Sequence, residues 1–281
     1  PAMSVLSHYQ VTALGRARRA GQAAAETSLD LGLNTVTAAL TAAGVEFPAG
    51  ERLSWPDAER IQAAEVNCFY YQDAAWREIK TYSEETERVY SLMPTRRAPT
   101  LLISGLPMHR IKDVDPWEDT QNKIRALGRI SGPVLDTSMG LGYTAIAAAQ
   151  WAAHVVTIEF DPAVLEIAWH NPWSRALFTS PKIEHRLGDA FDVVPTFADG
   201  SFTRILHDPP TFSLAGHLYS GEFYRELYRV LRPGGRLFHY IGNPASPSGA
   251  RTTKGVVRRL KAAGFERVAP RPEAFGVSAD R

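Results

Sequence analysis

The 281-residue chain carries one cysteine, Cys68. It can therefore form no internal disulfide and no cysteine-based zinc site, and no metal is expected. So sparing a use of cysteine fits a reducing, cytoplasmic setting. No apolar run reaches the eighteen residues of a membrane-spanning helix, so no membrane partner is expected. No basic-then-apolar leader opens the chain, and Pro1-Ala2 ahead of Met3 reads as an extraneous addition. An excess of charge is also missing, since 31 Lys and Arg face 30 Asp and Glu for a formal net charge of +1. Nucleic acid could thus be attracted only by a local patch. Repeats and low-complexity segments are absent. What remains is 44% hydrophobic and 22% charged, the make-up of a soluble globular chain of one large or two modest domains.

Residues 8–25, "HYQVTALGRARRAGQAAA", are rich in helix formers with apolar residues on one side, which predicts a helix. Short β-branched or aromatic stretches follow to residue 104: "TSLDLGL", "TVTAAL", "GVEF", "CFYYQ", "REIKTYS" and "RVYSLMP". Turn residues separate them, which predicts a small antiparallel β domain interrupted by a short helix at 56–64. "VDPWEDTQNKIRALG" predicts the next helix, with Asp115 as N-cap, Pro116 in its first turn and Gly128 at its end. The boundary falls around 95–115, giving an N-terminal part, 1–105, and a second part, 106–281. From residue 132 strands and helices alternate. That pattern predicts an α/β fold with a mostly parallel sheet covered on both faces.

The first strand of this second part ends "VLDTSMGLGYTAIAAA". Asp136 closes the strand, and Gly140 and Gly142 open a helix near Thr144. Glycines let the backbone approach a ligand, and a helix N-terminus presents unpaired N–H groups. The next strand ends "VVTIEFDP", placing Glu159 where an acid can accept both hydroxyls of a ribose. The third ends "HRLGDAFD", placing Asp189 at the same edge, where a carboxylate can accept from an adenine amino group. Open α/β sheets bind ligands along that edge.

These stretches, with "HDPPTF" and "LRPGGRLF", resemble the class I S-adenosylmethionine-dependent methyltransferases over residues 133–240. The resemblance implies a Rossmann-like seven-stranded sheet whose last strand is reversed. It also implies S-adenosyl-L-methionine as cofactor and S-adenosylhomocysteine as product. Asp136, Gly140 and Gly142 would hold its methionine end, Glu159 its ribose and Asp189 its adenine, with Ser138, Thr144, Asp161 and Ala190 also binding the cofactor. The whole chain resembles a group of predicted methyltransferases known chiefly from archaeal genomes, whose name defines no substrate.

The fourth strand ends "TRILHDPPTFS", with Asp208 beside the expected site of methyl transfer. Pro209 and Pro210 cannot donate backbone hydrogen bonds, so they fix where the Asp208 side chain and the nearby carbonyls point. Such acceptors can hold an amino group or ring N–H with its lone pair aimed at the methyl carbon, and Phe212 can stack on a flat base. "DPPTF" is similar to the motif of amino-group methyltransferases acting on nucleobases, although their aromatic follows the second proline directly. It is closer to "DPP-x-F" of certain ribosomal RNA base methyltransferases. Some of those alkylate carbon through a cysteine, but Cys68 lies far upstream, which favours a nitrogen acceptor. His207 should point away from Asp208 by strand alternation.

His109, Tyr219, His239 and Asn243, with Tyr240, are candidates to line the acceptor site. Seven cations, Arg251, Lys254, Arg258, Arg259, Lys261, Arg267 and Arg271, face only Glu266 in the sequence. They form either a phosphate-contacting surface for RNA or a solvated helix face. A homo-oligomer is compatible with the chain. "LYSGEFYRELYRVLRPGG" is also similar to a segment of the spermidine synthases, which carry a small β domain in front, so the second reading is an aminopropyltransferase using decarboxylated S-adenosylmethionine and a polyamine. Their fourth strand ends with two aspartates that bind a diamine. Here prolines replace the second, and only Glu222 could stand in for it. A non-catalytic binding module is the third reading, opposed by the acids kept at 136, 159, 189 and 208.

Overall fold

The computed structural model describes residues 3–281; Pro1 and Ala2 lie outside the described residues. The chain divides into two compact units. One runs to Trp117 and also takes in Ala163–Arg175; the other comprises Glu118–Pro162 and Ala176–Arg281.

The first unit is built on antiparallel sheets. One joins Val5–Leu6, Phe69–Gln72 and Ala75–Glu78. A four-stranded sheet holds Ala24–Thr27, Val36–Leu40, Gly44–Glu46 and Arg52–Ser54. Another holds Lys80–Ser83, Arg88–Met93, Thr100–Ile103 and Leu106–Pro107. Leu6, Val11, Leu14, Phe47, Leu53, Trp55, Ile61 and Trp76 share its core. The first helix is shorter than its composition predicts. Ser7 and Gln10 cap it reciprocally, but it stops at Arg19. Gly21, at φ 69°, turns the chain, and the alanines beyond pair as a strand with Val36–Leu40. Of "TSLDLGL" only Thr27 is in a strand, because the Ser28 hydroxyl accepts the N–H groups of Asp30 and Gly32 and closes a turn. Cys68 is buried in this unit.

The second unit is a seven-stranded sheet with helices. Its strands are β1 (Pro133–Asp136), β2 (His154–Glu159), β3 (Ile183–Leu187), β4 (Phe202–His207), β5 (Leu231–Tyr240), β6 (Glu266–Arg271) and β7 (Gly276–Asp280). Their order is β3-β2-β1-β4-β5-β7-β6, and β7 runs antiparallel to both of its neighbours. This is the reversed strand that the sequence implies. Order reverses between β1 and β4, the switch point at which open α/β sheets form their ligand crevice.

Four helices matter for the site: α1 (Pro116–Leu127), α2 (Tyr143–Ala149), α3 (Gly221–Val230) and α4 (Pro247–Ala262). Asp115 Oδ1 accepts the Trp117 N–H at 2.8 Å ahead of α1, and Gly128 ends that helix at φ 78°. Phe223, Tyr224, Leu227 and Val230 put the apolar face of α3 into the core with Leu135, Ile205, Leu237 and Leu260. Among the described residues no helix is long and apolar enough to cross a membrane.

Candidate active site

Strand β1 ends on Asp136, and the turn after it is bonded to the strands on both sides. The Thr137 N–H donates to Leu206 O at 3.0 Å and the Met139 N–H to Ile158 O at 2.7 Å. Gly140 and Gly142 have φ of 53° and 76°. A Cβ at Gly142 would lie 2.8 Å from Leu177 Cδ2, so packing as well as backbone conformation demands glycine there. A Cβ at Gly140 would meet no atom within 4 Å, so this glycine borders an open cradle.

Asp136 does not face that cradle. It is fully buried, and Oδ2 accepts the hydroxyls of Thr144 at 2.8 Å and Thr157 at 3.2 Å. Its Oδ1 accepts the Ser138 N–H at 3.3 Å. Burial pushes the carboxyl up to about 7 against these hydrogen bonds, and the charge of Asp208 adds to the rise. Asp136, Ser138 and Thr144 therefore shape the turn from beneath.

Glu159 stands at the rim. Its Oε2 accepts the Gly140 N–H at 3.0 Å and Oε1 the Asp161 N–H at 3.1 Å. Each oxygen keeps a lone pair, so the half-buried carboxylate can still receive two hydroxyls. Burial pushes it up to about 7, with the backbone N–H groups of Asp161, Gly140 and Phe160 opposing. Asp161 itself is buried behind it. Asp189 caps the short helix Ala190–Val193, taking the Phe191 N–H on Oδ1 at 2.8 Å. Its Oδ2 lies 2.8 Å from Nε2 of the exposed His217, a partner that nothing in the sequence flagged. Ala190 is buried.

At the switch point Asp208 follows β4. Beneath it His207 is fully buried, with Nε2 donating to Leu218 O at 2.9 Å and Nδ1 accepting from Thr137 at 2.7 Å. Burial draws this imidazole down to about 4, so it stays neutral. The Tyr219 hydroxyl donates to Pro210 O at 3.1 Å, and Arg259 Nε donates to Tyr219 O at 2.7 Å. These bonds hold the Pro209-Pro210 segment from below. Phe212, on the short helix Phe212–Ala215, is 56% exposed, with its ring 5.5 Å from that of Tyr219.

The residue that sequence reasoning missed is Lys123, on α1. Its side chain is 3% exposed, and Nζ lies 2.6 Å from Asp208 Oδ2 and 3.0 Å from Asp119 Oδ2. The ammonium also sits 4.4 Å from the centroid of the Tyr240 ring. Burial would lower its pKa, but Asp208, Asp119 and Tyr240 outweigh that and hold it above the ordinary lysine range. Burial raises the Asp208 carboxyl from its ordinary value, with the Asp119 charge adding to the rise, against the charge and hydrogen bond of Lys123. Among the described residues Asp208 Oδ1 has no hydrogen bond, and the side chain is 21% exposed. The signal was present in α1, where Asp119, Thr120, Lys123, Ala126 and Leu127 repeat as one buried face.

The acceptor-site candidates have partners of their own. Tyr219 and His239 are buried; the Tyr219 ring lies 5.5 Å from that of Phe212, and His239 Nε2 meets the Tyr224 hydroxyl at 2.8 Å. Asn243 accepts the Ala245 N–H at 2.9 Å within a turn. His109 belongs to the first unit, where Nδ1 lies 2.9 Å from Thr100 Oγ1.

Residues 135–239 match the model of a methyltransferase domain. A protein of Methanocaldococcus jannaschii, uncharacterized protein MJ1233, is 48% identical over 236 residues, covering 83% of this chain and 80% of that one. The chain belongs to one family with MJ1233, and its domain is that of a class I S-adenosylmethionine-dependent methyltransferase. S-adenosylmethionine is this methyltransferase's cofactor, and the open cradle at Gly140 with the rim carboxylate of Glu159 fits it. A polyamine aminopropyltransferase of Aeropyrum pernix is 29% identical to it over 127 residues, covering 43% of this chain and 38% of that one. A spermidine synthase solved with the transition-state analogue AdoDATO shares the fold. Its TM-score is 0.58 at 18% identity, over 73% of this methyltransferase and 75% of that chain.

Proposed function

We propose that this methyltransferase acts on a neutral nitrogen of a nucleobase in RNA. The observation that carries the reading is the ion pair of Lys123 and Asp208 at 2.6 Å. One oxygen of Asp208 is spent on a built-in ammonium, and the other is left to accept a single N–H. An acceptor arriving as an ammonium would meet Lys123 in the place where a second carboxylate would be needed. A planar base with an uncharged N–H suits the arrangement better, because Phe212 offers it a ring face. The likeness to aminopropyltransferases therefore supports the fold more than the substrate.

When bound, the cofactor supplies an electrophilic methyl group on a sulfonium. Asp208 Oδ1 would accept the acceptor's N–H, turn its lone pair toward that methyl, and take the proton once the nitrogen is alkylated. Pro209 and Pro210 would fix the direction of approach. Lys123 would favour the ionised form of Asp208 against the effect of burial, and Glu159 would take the ribose hydroxyls.

Two measurements test this. Calorimetry should show S-adenosylmethionine binding more tightly than its decarboxylated form, and the reverse preference would sink the methyltransferase reading. Nucleosides from RNA of a deletion strain should lack one base-methylated species found in the parent. An unchanged profile rejects RNA.

The cofactor's affinity should also depend on pH. A carboxyl with its midpoint at about 7 is about three-quarters ionised at pH 7.5 and about one-tenth at pH 6, so affinity should fall about eightfold between them. Glu159→Gln should bind more weakly and flatten this profile. A flat profile in the unaltered protein would remove Glu159 from the ribose site.

A further inference from the structure

Helix α4 carries a surface that the chemistry above leaves unused. Its sixteen residues include no acid, and Gly249, Val256 and Leu260 turn one face to the core. Opposite that face stand Arg251, Lys254, Arg258 and Lys261, all exposed. The spacings of three, four and three residues confine them to about 80° of the helix circumference. Along the axis they step by about 4.5, 6 and 4.5 Å. None of the four makes an ion pair among the described residues. The other cations of the segment are engaged. Arg259 donates to Tyr219 O, Arg267 to Asp280 and Arg271 to Ser278. The basic surface is thus one ordered row of four rather than a diffuse cluster of seven.

The row has a definite start. Strand β5 ends at Tyr240, the residue over Lys123, and α4 begins at Pro247 after a short turn. Its N-terminal end therefore lies at the sheet edge that carries Asp208, and the row leads away from that edge. Through Arg259 the same helix is bonded to the segment bearing Pro210 and Phe212.

We infer that this face of α4 is the track for the phosphate backbone of a single-stranded RNA segment flanking the acceptor base. The inference rests on the RNA reading given above. A solvated helix face normally mixes both signs of charge, whereas a single-sign row that starts at the reactive edge gives successive phosphates successive partners. A base lifted from an unpaired strand can then reach Phe212 while its neighbours stay on the helix.

The test uses the full chain and a labelled single-stranded oligoribonucleotide of mixed sequence, titrated across a range of salt. Replacing all four cations (Arg251→Gln, Lys254→Gln, Arg258→Gln, Lys261→Gln) should weaken binding at least tenfold at low salt. The slope of log affinity against log salt should become shallower by about 3, from about 0.7 per lost contact on a single strand. S-adenosylmethionine binding and the unfolding midpoint should not move. A control lacking four exposed cations elsewhere (Arg16→Gln, Arg19→Gln, Arg96→Gln, Lys112→Gln) should behave as the parent protein. If the parent binds the oligonucleotide and the α4 variant matches it in affinity and slope, the track is refuted and the RNA reading stands. If the parent binds neither the oligonucleotide nor bulk cellular RNA at low salt, the RNA reading falls and takes the track with it. Stronger binding of duplex DNA than of RNA would also overturn the assignment.

Discussion

Replacing Lys123 by methionine should cost about 3–5 kcal/mol of stability, because it leaves two carboxylates without their cation. Methionine matches the length of the lysine stem and can fill the space, so packing should not be the main loss. The loss comes from Asp119, which is fully buried, and Asp208, which is mostly buried, facing each other uncompensated. A urea transition followed at constant slope reads the change as a fall in midpoint. Two further results identify the cause. Adding Asp208→Asn to Lys123→Met should recover part of the stability, since one of the stranded charges is then removed. The single variant should also regain stability in acid. Without their cation the carboxylates have raised folded-state pKa values, so they favour folding while protonated and oppose it as the pH rises through the unfolded values. A Lys123→Met protein as stable as the parent at neutral pH would show that the ion pair is not worth its desolvation.

Asp208→Asn should do the opposite, leaving the fold and removing turnover. The amide oxygen of asparagine can still accept from Lys123, and Lys123 keeps Asp119 at 3.0 Å. On the proposed mechanism what is lost is a charged acceptor for the substrate's N–H and the place its proton goes. Turnover should fall by about 10²–10³-fold, the usual scale for one charged or proton-transferring group at a reacting centre. Calorimetry should show the affinity for S-adenosylmethionine unchanged, and labelled methyl transfer to RNA from a deletion strain should nearly vanish. If cofactor binding were lost with the fold intact, Asp208 would belong to the cofactor site, and the acceptor would have to be sought elsewhere.

Much of the sheet edge could be read from the residues because backbone chemistry announces it. Apolar strands that stop at an acid, glycines that open a helix and prolines that end a strand are all local signals. Glu159, Asp189 and Asp208 stand where those signals put them. The functional burden of Asp136 was not legible, since a strand-end acid looks the same whether it faces a ligand or is consumed by Thr144 and Thr157. The burial of Tyr219 and His239 was not legible for a related reason. Proximity in sequence to the edge does not say which side of a strand or turn a ring takes, and here both rings went to the core. Lys123 was hidden by its type. A lysine in an amphipathic helix is ordinarily solvent-facing, and only its register with Thr120 and Leu127 marks it as inward. His217 carried no local mark, because its partner Asp189 is 28 residues away.

The placement of Lys123 also bears on the order in which the site can be put together. Asp119 is one helical turn upstream, so that contact is available as soon as α1 winds. Asp208 is 85 residues downstream and joins only after β1 and β4 have paired, the slower kind of event in a folding chain. During synthesis Lys123 is therefore never obliged to enter the interior alone. Asp119 escorts it until Asp208 arrives, and the carboxylate at the switch point is the last of the three charges to be seated.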